Sequence, residues 1–149
     1  MTLDKISVKL IEYQSQEYQQ ACRLRYRLFF QEHDLPWDVV LDDNNTDCFF
    51  AAIVIEENVV AYGQLRDRHN GIYQIEQMVV EPKYQRQYLG KRIILTLIDL
   101  AKHKGAIEIV LNSRLCAIGF YQRVGFQTCG VEFPSPTTGV IHIPMNKKL

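Results

Sequence analysis

The sequence predicts a single α/β domain built around one mixed β-sheet, and three observations support this. The chain has 149 residues, which is the size of one domain. Apolar residues make up 47% and charged residues 23%, an ordinary globular usage that excludes a disordered, collagenous or coiled-coil chain. Near the middle, an apolar strand, an amphipathic helix and a second apolar strand follow one another, as in a parallel crossover.

The first half of the chain predicts one helix and an antiparallel hairpin. Apolar residues in Glu17–Gln31 recur at helical spacing and fall on one face. The runs Phe49–Glu56 and Val59–Asp67 are rich in β-branched and aromatic residues, and the polar link Glu57-Asn58 joins them as hairpin strands.

The crossover unit lies between residues 72 and 111. Ile72–Val80 reads as a strand that Pro82 ends. Leu89–Lys104 carries a broad apolar stripe and stops before Gly105, which predicts a helix. Ala106–Leu111 has the apolar character of a buried parallel strand, so the three elements form one right-handed unit.

The last third predicts a short helix and two strands. The helix covers about Cys116–Val124 and ends at Gly125, and the strands Phe126–Phe133 and Val140–Asn146 flank a turn-rich segment. No repeat or linker interrupts the chain, so residues 1–149 are expected to form one domain.

Charge and hydropathy exclude several classes of partner. Seventeen Lys and Arg balance seventeen Asp and Glu, so no overall positive field attracts nucleic acid or acidic membranes. No apolar run approaches the roughly 18 residues of a membrane span, and the first twenty residues are too polar for a signal peptide. We expect a cytoplasmic protein with no nucleic-acid or membrane partner.

The cysteines indicate neither a metal site nor a disulfide framework. They form no Cys-x-x-Cys pair, and a reducing compartment favours free thiols. We interpret all four as core thiols: Cys22, Cys48, Cys116 and Cys129.

Net neutrality hides two oppositely charged stretches. Leu28–Leu65 contains eight acids and no Lys or Arg, whereas Lys83–Lys104 contains six bases and only Asp99 as an acid. Two patches of opposite sign favour two differently charged ligands, and solvated faces without ligands are the alternative.

The loop Gln85–Lys91 is the candidate phosphate site. A loop that leads from a strand into a helix presents unpaired N–H groups and the positive end of the helix dipole. Arg86, Lys91 and Arg92 add full charges there. The chain has no Gly-x-Gly pair and no complete P-loop, which excludes those two nucleotide folds.

This region resembles the GNAT superfamily of acyl-CoA-dependent N-acetyltransferases. In the family motif Gln/Arg-x-x-Gly-x-Gly/Ala, Gln85 and Gly90 fit the first and last places, and Tyr88 replaces the central Gly. Ile75–Pro82 and Ala117–Phe126 are similar to the family's strand into this loop and its later helix and turn. Further positions resemble the bacterial ElaA-like branch: Leu24, Arg25, Phe29, Glu32, Pro36 and Ile141–Met145.

The resemblance implies a mixed, mostly antiparallel sheet with a splayed parallel strand pair, flanked by helices. It also implies acetyl-CoA as cosubstrate, with pantetheine pairing like an extra strand in the gap. The implied cofactor-binding residues are Met78, Val79, Val80, Gln85, Arg86, Gln87, Tyr88, Leu89, Gly90, Lys91 and Asn112. The alternatives are buried strand residues, a basic surface turn and, at Asn112, a local cap. The Cβ of Tyr88 either tilts the phosphate or forces an ordinary helical φ.

Amine acetylation requires a proton acceptor, because only about one lysine-like amine in a thousand is neutral at pH 7. We expect Glu76 to be the general base, through water, on the same side of its strand as Met78. The alternative is a solvent-facing carboxylate, and Gln74 on that face cannot act as a base.

The resemblance implies Tyr121 as the acid that protonates the departing thiolate, and a packed aromatic is the alternative. Backbone N–H groups near Val80 are candidates for the oxyanion.

The resemblance places the acidic segment Glu32–Glu57 beside the acceptor pocket, which favours a cationic amine such as a polyamine, an aminoglycoside-like amine or a peptide amine. Trp37 either lines that pocket or anchors the loop. The expected reaction is direct attack on acetyl-CoA in a ternary complex, without metal. The alternative function is a noncatalytic acyl-CoA sensor or interaction module. The sequence also allows a longer acyl donor and a homo-oligomer.

Overall fold

The computed structural model describes residues 6–41 and 46–149. Within this part of the chain, eight strands form one sheet in the order β1-β2-β3-β4-β5-β8-β6, and β7 also pairs with β8. The strands are β1 (Val8–Ile11), β2 (Cys48–Ile55), β3 (Asn58–Asp67), β4 (Ile72–Val80), β5 (Glu108–Arg114), β6 (Gln127–Thr128), β7 (Phe133–Pro134) and β8 (Ile141–Lys148).

The helices are α1 (Gln16–Arg25), α2 (Leu89–His103) and α3 (Ile118–Arg123). Alternate residues of β2 belong to two hydrophobic clusters: Ala51 and Ile53 pack with α2, while Phe50 and Ala52 pack with α1. Because successive strand residues face opposite sides, the two helices cover opposite faces of the sheet.

The sheet approaches α2 most closely at Gly63. A Cβ there would lie 2.6 Å from Met78 Sδ and 2.7 Å from Ile93 Cγ2, so only a hydrogen fits. This close approach buries the apolar stripe of α2, in which Ile93 and Leu97 have no exposed surface.

The predicted fold class is confirmed. Strands β4 and β5 form a parallel pair, and the other strand neighbours in the described residues are antiparallel. The parallel pairing covers only three positions, from Ile72↔Glu108 to Gln74↔Val110. Beyond Gln74 the two strands part, and this gap is the splay that the sequence led us to expect.

Several predicted elements need correction. Strand β1 was not predicted. The predicted helix Glu17–Gln31 is α-helical only to Arg25 and continues as a π-helical turn over Tyr26–Phe30. The hairpin turn falls on Glu56-Glu57, both with left-handed φ, because Asn58 already pairs with Ile55.

The predicted strand Phe126–Phe133 is wrong over most of its length, because only its ends pair with β8. The carbonyl of Pro144 in β8 accepts the Cys129 N–H, but proline has no N–H to return on that side, so the ladder is interrupted.

The prediction that all four cysteines lie in the core is wrong for two of them. Cys22 is buried and Cys48 half-buried, whereas Cys116, in a short 3-10 helix, and Cys129, in an irregular segment, are exposed. In the described ranges, no group of three or more His, Cys, Asp or Glu side chains is arranged to hold a metal ion. Likewise, none of the described helices is long and apolar enough to cross a membrane.

Candidate active site

A β-bulge in β4 sets the geometry of the site. Glu76 pairs with Gln64 and Val79 with Tyr62, so Gln77 and Met78 together lie opposite Gly63. Gln77 has a φ of 59°, as the extra residue of a bulge often does. The bulge reverses the alternation of side chains beyond it.

The prediction that Glu76 and Met78 share one side of the strand is therefore wrong. Glu76 bonds to Gln64 and Arg66 on the α1 face, while the sulfur of Met78 lies beside Gly63, Ile93 and Leu97 on the α2 face.

A buried arginine at the end of α1 holds the bulge. Arg25 is 3% exposed, its Nε donates to Gln77 Oε1 at 3.3 Å, and its guanidinium lies 5.7 Å from the centre of the Tyr62 ring. No described carboxylate forms a salt bridge with Arg25. Burial raises the pKa of the Cys22 thiol and of the Tyr62 phenol, so both neighbours stay neutral.

Where β4 and β5 part, a cavity of about 350 Å³ opens, here called the β4–β5 cavity. The π-helical turn delivers two phenylalanines to it, since the Gln31 N–H bonds the Tyr26 carbonyl five residues back and widens the helix. The lining comes from this π-helical turn, β4, β5, α3 and the residue before it, β7, β8 and the segment between β7 and β8: Phe29, Phe30, Gln74, Ile75, Glu76, Gln77, Met78, Asn112, Arg114, Ala117, Tyr121, Phe133, Ser135, Pro136, Thr137, Thr138 and His142.

Glu76 is part of a hydrogen-bonded network within this lining. Its Oε1 accepts from Gln64 Nε2 and from Arg66 Nε, both at 3.0 Å, and Gln64 Oε1 accepts from the Tyr62 hydroxyl at 2.8 Å. No described residue bonds to Oε2 of Glu76. The carboxylate is thus fixed through one oxygen, and the other is left to accept a proton.

Tyr121 is a packed aromatic residue at the wall of the cavity, a position compatible with either of its predicted roles. Its ring packs edge-on against Phe120 and Phe126, with centroid distances of 5.0 and 6.1 Å, and it also lines the cavity. Burial raises the pKa of Tyr121 to about 12, so the phenol keeps its proton at neutral pH.

The loop Gln85–Lys91 leads into α2 with its helix entrance uncapped. Tyr88 is the N-cap, and no described side chain bonds the first N–H groups; the first turn also contains no acid. These N–H groups and the helix dipole therefore favour an anion. Gln85 Nε2 donates to the Val80 carbonyl at 3.2 Å and ties the loop to the end of β4.

Tyr88 adopts the backbone conformation that glycine favours. Its φ is 64° and its side chain is 71% exposed, so the expectation of an ordinary helical φ is wrong. The side chain of Leu89 is buried in the core, which leaves only its backbone for a ligand. The guanidinium of Arg92 donates to the Ile6 carbonyl.

The described part of the acidic segment contributes no carboxylate to the cavity lining, contrary to expectation. None of its described acids, which are Glu32, Asp34, Asp38, Asp47, Glu56 and Glu57, belongs to the lining, and Asp42 and Asp43 lie outside the described residues. Trp37 is also absent from the lining and packs edge-on against Tyr26 at 5.3 Å. Asn112 is exposed and does line the cavity.

Residues 10–126 match the Acetyltransferase (GNAT) family. The chain belongs to this family. It is therefore an acyltransferase, and the expectation drawn from the phosphate loop is confirmed at the level of family, fold and enzyme class.

Individual relatives agree with this assignment. The glucosamine 6-phosphate N-acetyltransferase of Schizosaccharomyces pombe is 36% identical over 58 residues, 39% of this chain and only about half (52%) of that protein. An acyl-CoA N-acyltransferase from Pseudomonas aeruginosa has a TM-score of 0.81 at 19% identity, over 95% of this chain and 99% of that one. Escherichia coli ElaA has a TM-score of 0.77 at 18% identity, over 96% and 99%. These two structures share the fold.

Sequence reasoning missed the polar residues that organise the α1 face. Gln64 interrupts the otherwise apolar run Val59–Leu65, and Arg25 lies one helical turn after Ala21 on the apolar face of α1. A polar residue at a position expected to be buried indicates a buried polar network, and this signal is present in the sequence. The bulge at Gln77 and the cavity position of Arg114 carry no comparable signal.

Proposed function

We propose that this protein, as a single domain spanning residues 1–149, transfers the acetyl group of acetyl-CoA to a primary amine by direct attack in a ternary complex. The observation that carries the proposal is the β4–β5 cavity, which has a carboxylate and a buried phenol in its lining and lies between strands that part. The yeast relative, whose name describes an amine acetyltransferase, supports an amine acceptor.

The diphosphate of the cosubstrate binds at the entrance of α2, with Arg86 and Lys91 adding charge. A Cβ at Gly90 would make only ordinary contacts, at 3.4 Å from the Phe120 ring and 3.5 Å from Val80 Cγ2. Internal packing therefore does not require glycine at this position. Close approach of a phosphate to the backbone is the remaining reason for it.

The pantetheine arm pairs with the open edge of β4. The Glu81 N–H donates to the Val60 carbonyl on β3 at 2.8 Å. Because backbone groups alternate in direction along an antiparallel ladder, the N–H and carbonyl of Val80 point to the opposite side, toward the gap. The backbone from Met78 to Val80 then contacts the arm, and Asn112 bonds an amide of the arm from β5.

Glu76 Oε2 takes a proton from the acceptor ammonium through water, and the neutral nitrogen attacks the thioester carbonyl carbon. A backbone N–H near Val80 stabilises the oxyanion. When the carbon–sulfur bond breaks, the Tyr121 hydroxyl gives its proton to the thiolate. The second proton that the nitrogen loses goes to solvent, from which Tyr121 recovers its own.

The cytoplasmic location stays a prediction.

Amine-dependent thiol release tests the activity. We expect purified protein with acetyl-CoA and a panel of primary amines to release CoA thiol only when an accepted amine is present. A sensor would bind acetyl-CoA, as measured by calorimetry, without any amine-dependent release, and that result would favour the noncatalytic alternative.

Two variants test the catalytic roles. Tyr121→Phe keeps the ring and should lower kcat about 100-fold with little change in acceptor KM. Glu76→Gln should also lower kcat about 100-fold, because an amide cannot accept the proton. A small effect of either variant would remove that residue from its role.

Gly90→Ala tests the phosphate site separately. The alanine should leave the unfolding free energy equal or higher, since it favours a helix by up to about 1 kcal/mol over glycine. We expect acetyl-CoA binding to weaken about tenfold in calorimetry, while Gly119→Ala, on α3, serves as the matched control. Unchanged binding would argue against a diphosphate at this helix entrance.

A further inference from the structure

Arg114 is a cation without an anionic partner in the lining of the β4–β5 cavity. It is half-buried at the end of β5, and its guanidinium carbon lies 5.0 Å from the centre of the Phe29 ring. Throughout residues 6–41 and 46–149, no salt bridge or side-chain hydrogen bond satisfies this guanidinium. Its five N–H donors are therefore available to a molecule in the cavity.

Two neighbouring strands place an imidazole and an aromatic ring in one row with Arg114. Arg114 pairs with His142 on β8, and His142 pairs with Phe133 on β7, so the three residues form one row on one face. The His142 ring stacks on Phe133 at 6.1 Å, and its Nδ1 lies 2.8 Å from the Val140 carbonyl. A carbonyl only accepts, so Nδ1 carries the hydrogen of that bond.

The hydroxyls of the same wall are already in use as acceptors. Ser135 Oγ accepts the N–H groups of Thr137 and Thr138, and Thr138 Oγ1 accepts the Val140 N–H. Each hydroxyl still has its own hydrogen to donate while it accepts these bonds. This end of the cavity therefore offers a cation and hydroxyl donors, which suit the oxygens of an anion.

The carboxylate of the cavity comes from the opposite strand of the parting pair. Glu76 lies two residues beyond Gln74, the last paired residue of β4, and Arg114 lies four residues beyond its partner Val110 on β5, so the two are offset by two residues along the strands. Two strand residues span about 7 Å. An acceptor with its amine at Glu76 thus extends its other end toward Arg114.

We propose that the acceptor amine carries an anionic group, a carboxylate or a phosphate, which binds Arg114 in a subsite completed by Ser135 and Thr138. This rests on the proposed function and makes Arg114 a specificity-determining residue of that site. It also differs from the cationic acceptor expected from the acidic segment, whose described acids lie outside the lining.

Matched acceptors test the subsite. One set shares a four-carbon chain and ends in nothing, a carboxylate or a second ammonium: butylamine, 4-aminobutanoate and 1,4-diaminobutane. A second pair, glucosamine and glucosamine 6-phosphate, differs only in the phosphate. We expect the anionic member of at least one set to have about tenfold or higher kcat/KM, and the set that responds distinguishes carboxylate from phosphate.

Variants link that preference to the guanidinium. Arg114→Gln should abolish the preference and change kcat/KM for the neutral member less than threefold, whereas Arg114→Lys should retain part of it. Arg23→Gln, on the exposed side of α1, is the matched loss of one guanidinium and should retain all of it. Equal use of neutral and anionic members, preference for the diamine, or a preference that survives in Arg114→Gln would each overturn the proposal.

Binding measured without turnover separates this subsite from the activity. In calorimetry with CoA present, the anionic member should bind about tenfold more tightly than its neutral partner, and only Arg114→Gln should remove the difference. Absence of acetylation across all amines would count against the proposed function alone. Equal binding of both members, or binding of neither, would count against the subsite.

Discussion

The two faces of the central sheet are built from different chemistry. The α2 face is aliphatic and closely packed, with Leu97 fully buried and Gly63 admitting no Cβ. The α1 face buries polar groups, among them Arg25 and Gln64, and opens into the β4–β5 cavity. The tightest packing therefore lies on the α2 side, and the buried polar network of Arg25, Gln64 and Glu76 lies on the α1 side. The cavity takes its lining from both sides, since Tyr121 and Met78 pack with the α2 cluster.

The largest expected effect is a loss of stability on the α2 face. Leu97→Ala should lower the unfolding free energy by about 2 to 5 kcal/mol, because it leaves a cavity that rigid neighbours cannot fill. Denaturant unfolding measures the change. The kcat of the folded enzyme should stay within about twofold.

Leu95→Ala on the same helix is the control, since Leu95 is 43% exposed. Its unfolding free energy should change by no more than about 0.5 kcal/mol. A large loss of kcat in Leu97→Ala at temperatures where it is folded would contradict the division between the faces.

On the α1 face we expect a substitution to lower kcat more than it lowers stability. Arg25→Met removes the donor that holds Gln77, and we expect kcat to fall about tenfold while acceptor KM changes little, because the bulge no longer fixes Glu76. The unfolding free energy should fall less than in Leu97→Ala, since the buried cation has no carboxylate partner to lose.

Arg23→Met, an exposed position on α1, is the matched control for kcat. Arg25→Lys keeps the charge and should recover part of the rate. If Arg25→Met unfolds the protein as readily as Leu97→Ala and leaves kcat unchanged, this face is structural in the same sense as the other.

A smaller effect depends on pH. Burial raises the pKa of Tyr121 to about 12, above its unfolded value of about 10. Its contribution to stability is fully present below pH 10 and is lost as the pH rises toward 12. At pH 11 the wild type should have lost about 1 kcal/mol more unfolding free energy than Tyr121→Phe has.

Denaturant unfolding of both proteins at pH 8, 10 and 11 measures this difference. Tyr62 is present in both and cancels. Parallel losses in the two proteins would mean that the Tyr121 phenol ionises as readily in the folded state as in the unfolded chain.

The smallest expected effect concerns the backbone at Tyr88. In Tyr88→Gly, loss of the left-handed strain raises the unfolding free energy, and the greater freedom of the unfolded chain lowers it. We expect a net rise of about 0.5 to 1 kcal/mol. Acetyl-CoA should also bind more tightly in calorimetry, because no Cβ stands beside the phosphate. Tyr88→Phe keeps the Cβ and should change neither quantity. Weaker binding by the glycine variant would contradict the assignment of the phosphate site.

Local pattern predicted much of this molecule. The stripe of α2 and the hairpin of β2 and β3 follow from periodicity, and the motif around Gly90 led to the family. Boundaries failed where a non-local partner decided them: Pro144 interrupts the pairing of the segment before β7, and β1 forms only because β2 offers it an edge.

From the sequence alone, hydrophobic period predicted the fold class, and the resemblance to a family predicted the enzyme class, because both rest on residues that lie close together in the chain. Which side chains share the cavity depends on the tertiary structure. One extra residue at Gln77 reverses the faces of β4, separating Glu76 from Met78, and three strands meet to place Arg114 beside His142. Such neighbours are far apart along the chain, so their proximity depends on register, which a linear pattern does not contain.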